Sequence, residues 1–256
     1  MNLILFTPDD FSTASRDAVT LAKNDARAAH IIGVLRRRPG DTFDAGLVNG
    51  PRGKGTLSGI ASDGAISLAF AWDKTEPPPL PPVTLVIGLP RPQTARKILN
   101  EATALGVSEM HFATTARGEP SYAQSTLWTT GEYRRHLEAG AAQAFCTRIP
   151  RIEFSNTLDE TLASLARDRP SARRVALDNY ESPASLGELL SSHSAPRAPN
   201  SEFILALGSE RGWTADERDR LRAAHFAFAH LGPRVLRLET AIVSAVALAL
   251  AHMGRM

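Results

Sequence analysis

The sequence predicts an α/β fold in which a small β-rich N-terminal region precedes a parallel sheet with helices between its strands. After residue 83, short apolar runs alternate with helical segments, and this alternation is typical of a parallel sheet. Before residue 72, short strands alternate with turn sequences such as Ser62-Asp63-Gly64, which favours a barrel. A proline-rich segment at residues 76–82 separates the two patterns, so we expect two structural regions.

The bulk composition is that of a globular protein with one large or two modest domains. The chain has 256 residues, of which 43% are hydrophobic, and its formal net charge is only +2. Any basic surface must therefore be local. The single cysteine, Cys146, excludes an internal disulfide and a cysteine-based metal cluster, and we expect it to be a buried small apolar residue.

The sequence also predicts a soluble, cytoplasmic protein. No basic segment followed by an apolar run stands near the N-terminus, so we expect no secretory signal. The longest apolar run, residues 241–251, is too short to cross a bilayer, and no membrane partner is expected.

Residues 1–72 are predicted to form a small β-barrel with one helix. The expected strands cover residues 19–21, 42–48, 55–61 and 65–72. The helix is expected at residues 25–35, because the Pro39-Gly40 pair that follows cannot continue it.

Residues 73–82 are predicted to be a linker, and residues 83–256 a second domain. Its expected strands cover residues 83–87, 110–113, 151–154, 173–177, 203–207 and 227–230. Its expected helices cover residues 93–105, residues 126–145 with an interruption at Gly131, a segment that opens with a capping box at Thr157, and a short segment near Leu186. Residues 191–200 are rich in small residues and proline, so we expect a flexible loop there.

Two successive strands of the predicted sheet end in glycine loops that lead into helices. Residues 208–213 (GSERGW) follow one strand, and residues 231–241 (LGPRVLRLETA) follow the next. A capping box begins at Thr214, and Glu239 or Thr240 is expected to cap the last helix. Ligands bind outside the carboxyl ends of parallel strands, so a binding site is predicted between these loops.

Three motifs of common enzyme classes are absent from the sequence, so we do not expect the chemistry that each of them supports. There is no glycine-rich dinucleotide fingerprint, no phosphate-binding P-loop and no nucleophile elbow of a serine hydrolase. His225 and His230 lie close together without a third ligand at a suitable spacing. We therefore expect structural roles for both histidines and no metal site.

The two glycine loops resemble the signature of the SPOUT-class RNA methyltransferases, and nearly the whole chain is similar to the RsmE family within that class. The second loop, LGPRVLRLETA, is long and specific. The first loop departs from the usual GPEGG of the family, since Ser209 replaces the proline and Arg211 a glycine. The resemblance implies a SPOUT-type parallel sheet with a C-terminal trefoil knot and a small PUA-like N-terminal β-barrel that binds RNA.

The activity implied by this resemblance is methylation of ring N3 of a uridine in 16S ribosomal RNA, with S-adenosylmethionine as the cofactor. The resemblance implies that groups in the two glycine loops, and at the end of a neighbouring strand, hold that cofactor. The implied cofactor-binding residues are Leu177, Gly208, Ser209, Glu210, Gly212, Leu231, Gly232, Val235, Leu236, Arg237, Thr240 and Ala241.

The resemblance also implies contacts with the small-subunit ribosomal RNA. The implied RNA-binding residues are His30, Arg36, Arg37, Arg38, Arg91, Arg117 and Arg148. Guanidinium groups bind phosphate oxygens in pairs of hydrogen bonds, although three consecutive arginines are also typical of a solvated helix end. Glu101 and Cys146 stand where the family has basic residues, which leaves the substrate open to question.

Catalysis at a uracil nitrogen requires that the nitrogen lose its proton as it attacks the methyl group. A cation such as Arg237 or Arg91 would stabilise the anion that forms. Glu239 is a candidate base, with helix capping as the alternative. Trp213 is a candidate for stacking on a flipped base, with packing at the sheet edge as the alternative.

The last helix, residues 240–253, is apolar on nearly every face, so it is expected to be buried or to lie at a subunit interface. The resemblance implies a homodimer through this helix, with each active site completed by the partner chain. Two other functions stay open. One is a SPOUT methyltransferase with a different RNA target, and the other is a non-catalytic RNA-binding or ribosome-assembly factor.

Overall fold

The structure is a computed structural model, and it describes residues 3–11, 16–191 and 201–256. The chain forms two compact units, neither of which is continuous in sequence. The first unit comprises Met1–Pro79 and Ala141–Ile149, and the second comprises Leu80–Gly140 and Pro150–Met256.

The first unit is built on a five-stranded sheet with the order β1-β3-β4-β5-β2. Its strands are β1 (Ile4–Phe6), β2 (Ala18–Leu21), β3 (Thr42–Leu47), β4 (Arg52–Ile60) and β5 (Ile66–Trp72). Only the β1–β3 pair is parallel among these strands. Ile66, Leu68 and Phe70 of β5 are buried while the residues between them are exposed, which is the alternation that predicted this strand. Strand β1 was not predicted, because three residues are too few to show a period.

The helical segment of the first unit confirms the prediction for residues 25–35, although its geometry changes halfway. Helix α1 (Ala26–Ala29) is capped by Asp25, whose carboxylate accepts a hydrogen bond from the Arg27 N–H at 2.8 Å. The next residues, His30–Val34, form a wider π-helical turn. The stretch ends where Arg36 adopts the left-handed backbone conformation, with φ of 53°.

Residues 141–149 join the first unit through hydrogen bonds to the turn between β3 and β4. The Thr147 hydroxyl donates to the carbonyl of Gly50 at 2.6 Å, and the Asn49 N–H donates to the carbonyl of Thr147 at 2.8 Å. Cys146, which was expected to be buried, is only half-buried, because it lies in the irregular part of this segment.

The second unit is built on a six-stranded sheet with the order β11-β9-β10-β6-β7-β8. Its strands are β6 (Val83–Gly88), β7 (Glu109–Thr114), β8 (Arg151–Thr157), β9 (Arg173–Leu177), β10 (Phe203–Leu207) and β11 (Ala227–Ala229). Every pair of neighbours is parallel, which confirms the predicted parallel sheet. Because helices cover both faces of such a sheet, β6 and β10 are buried along their whole length.

Seven helices accompany this sheet in the described part of the chain. They are α2 (Pro92–Ala104), α3 (Thr126–Thr129), α4 (Tyr133–Gln143), α5 (Leu158–Asp168), α6 (Leu186–Ser191), α7 (Ala215–Ala223) and α8 (Leu238–His252). The predicted capping boxes at Thr157 and Thr214 are both present. The predicted interruption at Gly131 is also present, where φ is 76° between α3 and α4. The flexible loop predicted at residues 191–200 lies, from residue 192 onward, outside the described residues.

Helix α8 corrects the prediction that Glu239 or Thr240 caps the last helix. The helix begins at Leu238, and Arg237 occupies the cap position without a side-chain cap hydrogen bond. Glu239 therefore lies in the first turn, where its carboxylate accepts a hydrogen bond from Lys97 Nζ at 3.1 Å. Among the helices that the structure describes, neither α8 nor any other is long and apolar enough to span a bilayer.

Candidate functional site

The first cavity lies at the carboxyl ends of β9, β10 and β11 and has a volume of about 250 Å³. Each of these strands is followed by a loop that forms one wall. The lining residues are Leu177, Asp178, Asn179, Tyr180, Leu207, Gly208, Ser209, Glu210, Arg211, Gly212, Trp213, His230, Leu231, Val235, Leu236, Leu238 and Ala241. This is the edge of a parallel sheet at which ligands bind.

The loop after β9 is held by a buried ion pair. Asp178 follows the last residue of the strand, and its Oδ2 accepts a hydrogen bond from Arg218 Nε at 2.9 Å. Its Oδ1 accepts from the backbone N–H groups of Tyr180 and Glu181, each at 2.8 Å. Because Asp178 and Arg218 are both almost fully buried, this pair fixes the loop against α7.

The loop after β10 turns sharply, and glycine is needed at its first position. A Cβ atom added to Gly208 would lie 2.7 Å from the carbonyl carbon of Gly212 and 3.0 Å from the nitrogen of Trp213. These are backbone atoms, so no side chain fits there without moving the loop. The turn closes with a hydrogen bond of 2.8 Å from the Gly212 N–H to the carbonyl of Ser209.

The loop after β11 contributes to the cavity lining two residues whose backbone N–H groups are unpaired in the described part of the chain. Gly232 has φ of 105°, and its N–H donates to His230 Nδ1 at 3.0 Å. In the described part of the chain, the N–H groups of Leu231 and Leu236 donate no hydrogen bond. Val235 also lines the cavity, although it is 82% exposed, so it stands at the mouth. The expected structural role of His230 is confirmed, because its imidazole fixes this loop.

A second cavity of about 280 Å³ adjoins the first. It is lined by Arg91, Arg117, Gly118, Glu119, Tyr122, Ser209, Glu210 and Arg211, so the turn at residues 209–211 is common to both cavities. Arg91 follows β6, and its backbone N–H donates to Glu210 Oε1 at 3.2 Å. Arg117 follows β7, and its Nη1 donates to the carbonyl of Arg211 at 2.8 Å. Both arginines thus hold the turn from the side of the second cavity.

The glycine loops that line the first cavity belong to a stretch with a known family match. Residues 76–250, more than half of the chain, match the family model described as an RNA methyltransferase domain. Over 254 residues, the chain is 32% identical to the Ribosomal RNA small subunit methyltransferase E of Treponema pallidum (strain Nichols), with 98% of this chain and 91% of that protein covered. The chain belongs to the RsmE family of RNA methyltransferases.

Two further comparisons agree with this membership of the RsmE family. The chain is 25% identical to the Ribosomal RNA small subunit methyltransferase E 1 of Borreliella burgdorferi, with 96% of this chain and 95% of that protein covered. Its fold is similar to a crystal structure of the Ribosomal RNA small subunit methyltransferase E from Neisseria gonorrhoeae bound to S-adenosyl methionine. That similarity has a TM-score of 0.73 over 97% of both chains at 19% identity, so it establishes the fold.

Most of the cofactor-binding residues that the RsmE resemblance implied line the first cavity. These are Leu177, Gly208, Ser209, Glu210, Gly212, Leu231, Val235, Leu236 and Ala241. Gly232, Arg237 and Thr240 lie outside that lining. Gly232 shapes the loop through its backbone, whereas Arg237 and Thr240 are exposed beside the first turn of α8.

The three candidate catalytic residues of this RsmE-family chain occupy different surroundings. Arg91 lines the second cavity, and its Nε donates to Thr94 Oγ1 at 3.1 Å. Neither Arg237 nor Glu239 is among the described residues that line the two cavities. Hydrogen bonds from the Glu239 N–H and from Lys97 lower the pKa of the Glu239 carboxyl, although partial burial opposes the shift. A carboxylate with a lowered pKa is a weaker base.

The residues proposed to bind RNA divide between the two compact units. In the first unit, Arg36 and Arg38 are exposed, while His30 and Arg37 are half-buried. Arg148 of the same unit donates to the carbonyls of Asn49 and Pro77, at 3.3 and 3.2 Å, and so has a structural role. In the second unit, Arg91 and Arg117 line the second cavity.

Trp213 packs in the interior, which corrects the suggestion that it stacks on a base. It is only 1% exposed, belongs to a hydrophobic cluster with Phe226 and Phe228, and donates from Nε1 to the carbonyl of Leu177 at 3.3 Å. A ring with so little exposed surface cannot receive a base. The alternative of packing at the sheet edge is therefore the correct one.

Several residues of the site were not found from the sequence. Asp178 follows β9 just as the glycine loops follow β10 and β11, so the position at a carboxyl end was a usable signal. Tyr122 lies in a short 3-10 helix, Pro120–Gln124, between β7 and α3, and no periodic pattern in the sequence marks it. Among the described residues, no group of histidine, cysteine and acidic side chains is arranged to hold a metal ion.

Proposed function

We propose that this chain transfers a methyl group from S-adenosylmethionine to ring N3 of a uridine in 16S ribosomal RNA. Family membership supports the reaction class. The first cavity, with its glycine turn and unpaired backbone donors, is the observation that carries the proposal. The RsmE relative from Neisseria gonorrhoeae, whose fold this chain resembles, is described as bound to S-adenosyl methionine.

The first cavity fits the cofactor because its walls are backbone and small side chains. The N–H groups of Leu231 and Leu236 need acceptors, and ring nitrogens of an adenine supply them. Gly208 lets the turn close tightly beside the cavity, because a side chain there would collide with the backbone of Gly212 and Trp213. Leu177, Leu238 and Ala241 supply apolar surface. When bound, the cofactor supplies a methyl group on an already activated sulfonium, so the protein contributes mainly proximity and alignment.

The acceptor nitrogen must lose a proton, and a nearby cation favours this loss. We assign the role of this cation to Arg91, which lines the second cavity beside the shared turn. Arg237 is exposed at the start of α8, on the face that a second copy covers. We assign it a secondary role in stabilising the same anion. Glu239 holds α8 to α2 through Lys97, so we assign it a positioning role rather than that of a base.

The proposal includes a homodimer through α8. One face of this helix is half-buried or exposed, and it is formed by Thr240, Val243, Ala247, Leu248 and Ala251. Leu248 is 40% exposed. Val235, which lines the first cavity, is also exposed. A second copy of the chain would cover both, and apolar surface of this kind marks interaction sites.

The N-terminal unit is proposed to be a PUA-like RNA-binding domain, with residues 73–82 as linker and residues 83–256 as the methyltransferase domain, except that residues 141–149 belong to the first compact unit. The exposed Arg36 and Arg38 support phosphate contacts by this domain. The trefoil knot at the C-terminal end of the sheet is part of the same proposal.

The proposal is tested by incubating the purified chain with tritiated S-adenosylmethionine and 30S subunits from a strain that lacks the family enzyme. We expect label in 16S RNA, and mass spectrometry should locate it as N3-methyluridine. Label in another RNA, or at another atom, would favour the alternative SPOUT target that Ser209 and Arg211 suggest. Binding of 30S subunits without cofactor binding or label would favour the assembly factor.

A further inference from the structure

The first and second cavities meet at the turn formed by residues 209–211. The first cavity is lined mainly by the loops after β9, β10 and β11, and the second by residues that follow β6 and β7. Ser209 opens the shared turn and lines both cavities. A group that passes from a ligand in one cavity to a ligand in the other would pass beside this residue.

The Ser209 hydroxyl is an unsatisfied polar group. The residue is only 7% exposed, and its Oγ has no hydrogen-bond partner among the described residues. Buried hydroxyls are nearly always paired, because an unpaired one retains the cost of its lost hydration. Ser209 lines both cavities, so a rotation of its side chain would bring this hydroxyl, which has almost no accessible surface, to a ligand in one of them.

The second cavity combines an aromatic ring with several cations. Tyr122 is half-buried in its wall and packs against no other aromatic ring in the described part of the chain. Arg91, Arg117 and Arg211 line the same cavity, and Glu210 accepts from the backbone N–H of Arg91. Aromatic rings that stack on bases, beside arginines that bind phosphates, are characteristic of sites for single-stranded nucleic acid.

We infer that the second cavity is the subsite for the target nucleotide, an assignment that rests on the proposed function. Tyr122 stacks on the base, and the arginines bind the phosphates that flank it. Ser209 Oγ donates a hydrogen bond to a uracil carbonyl oxygen next to N3. This oxygen takes up negative charge when N3 loses its proton, so the same hydrogen bond stabilises the anion.

Tyr122 is tested with two substitutions, Tyr122→Leu and Tyr122→Phe. Stacking on the ring predicts that Tyr122→Leu raises KM for 30S subunits by roughly 10-fold or more, whereas Tyr122→Phe stays within about twofold of wild type. The Kd for S-adenosylmethionine, measured by calorimetry, should be unchanged in both and shows that the variants are folded. Equal KM values for Tyr122→Leu and wild type would overturn the assignment.

Ser209→Ala separates a substrate contact from a structural role. The unpaired hydroxyl predicts that Ser209→Ala leaves Tm unchanged or raised, while kcat/KM for 30S subunits falls roughly 5-fold. Thr115→Val is the matched control, because Thr115 Oγ1 is also buried and unpaired among the described residues but Thr115 lines neither cavity. We expect wild-type kcat/KM for this control. A weaker Kd for S-adenosylmethionine in Ser209→Ala would assign the hydroxyl to the cofactor and overturn the inference.

A measurement of RNA binding without catalysis distinguishes failure of this inference from failure of the proposed function. The affinity for a fluorescein-labelled fragment of 16S RNA is measured by anisotropy without cofactor. If the wild-type chain methylates no RNA, the proposed function fails. Weaker RNA binding by Tyr122→Leu than by Tyr122→Phe would still support a nucleotide subsite, whereas equal binding by the two variants would overturn it.

Discussion

The amino ends and the carboxyl ends of the strands in the six-stranded sheet, the amino edge and the carboxyl edge, differ in how their charged side chains are paired. At the amino edge the charged groups have partners, although His111 Nδ1 is buried and unpaired among the described residues. At the amino edge, Glu109 at the start of β7 is buried, with His111 Nε2 at 2.9 Å and Arg169 Nη2 at 2.5 Å from its carboxylate oxygens. Arg169 also pairs with Glu202 at 2.9 Å. Burial alone would raise the pKa of Glu109, but the hydrogen bonds from His111 and Arg169 lower it to about 2.

The carboxyl edge instead leaves groups without partners in the described part of the chain. The hydroxyl of Ser209 and the N–H groups of Leu231 and Leu236 are unpaired, and Val235 is exposed at the cavity mouth. A buried unpaired group such as the Ser209 hydroxyl reduces the stability of the free protein, and a ligand that pairs with it recovers that free energy. The comparison indicates that the amino edge stabilises the fold, whereas the carboxyl edge is arranged for binding. Substitutions at the carboxyl edge should therefore change ligand affinity, and substitutions at the amino edge should change the free energy of unfolding.

The largest expected effect is on cofactor binding in Gly208→Ala. The added Cβ would lie 2.7 to 3.0 Å from backbone atoms of the turn, which must move and carry the cavity wall with it. We expect the Kd for S-adenosylmethionine to rise by about 100-fold or more, which corresponds to roughly 2.7 kcal/mol. Gly59→Ala is the control measured in the same calorimeter, because a Cβ at Gly59 meets nothing within 4 Å. Wild-type affinity in Gly208→Ala would contradict the assignment of the first cavity.

At the amino edge, Glu109→Gln should reduce stability without changing cofactor affinity. Because the pKa of Glu109 falls from 4.5 to about 2 on folding, its charge stabilises the protein above about pH 4.5, and this contribution is lost as pH falls towards 2. We expect a loss of roughly 3 kcal/mol in the free energy of unfolding at pH 7.

Urea unfolding at pH 7 and at pH 3 measures this difference in Glu109→Gln. The destabilisation should shrink at the lower pH, because the Glu109 carboxyl of the unfolded chain is then protonated while that of the folded chain is still largely ionised. Glu101→Gln, at an exposed position of α2, should show no loss at either pH. A loss in Glu109→Gln that is equal at the two pH values would show that the carboxylate charge is not responsible.

The smallest expected effect is that of Glu239→Gln on catalysis. The carboxylate is held by Lys97 and its pKa is lowered, so we expect kcat to fall by less than about threefold. Lys97→Gln should have a similarly small effect, because it breaks the same pair. Loss of a general base costs roughly 100-fold or more, so a decrease of that size in Glu239→Gln alone would restore Glu239 as the base.

The sequence predicted several strands of the second unit well, because β6 and β10 are nearly continuous apolar runs that end in or before a glycine, and β9 ends in an apolar run before Asp178. Strands β9 and β10 lie at the predicted residues. The capping boxes at Thr157 and Thr214 fixed the starts of two helices, since each motif depends only on residues three apart. The glycine loops marked the site for a similarly local reason.

Contacts between distant residues could not be predicted from local patterns. The pairing of Asp178 with Arg218 and the burial of Trp213 depend on how the loop after β9 packs against α7. The start of α8 was misplaced, because Arg237 occupies a cap position that usually holds a small polar residue. The wide turn at His30–Val34 shows the same limit, since its five residues carry no distinguishing motif.

We propose that the three loops at the carboxyl edge hold the cofactor. A crystal structure of the chain with S-adenosylhomocysteine tests this assignment. We predict density for the adenosyl group in the first cavity, with the N–H groups of Leu231 and Leu236 about 2.7–3.2 Å from its acceptor atoms. Density for the ligand elsewhere, with these two N–H groups still unpaired, would contradict the claim.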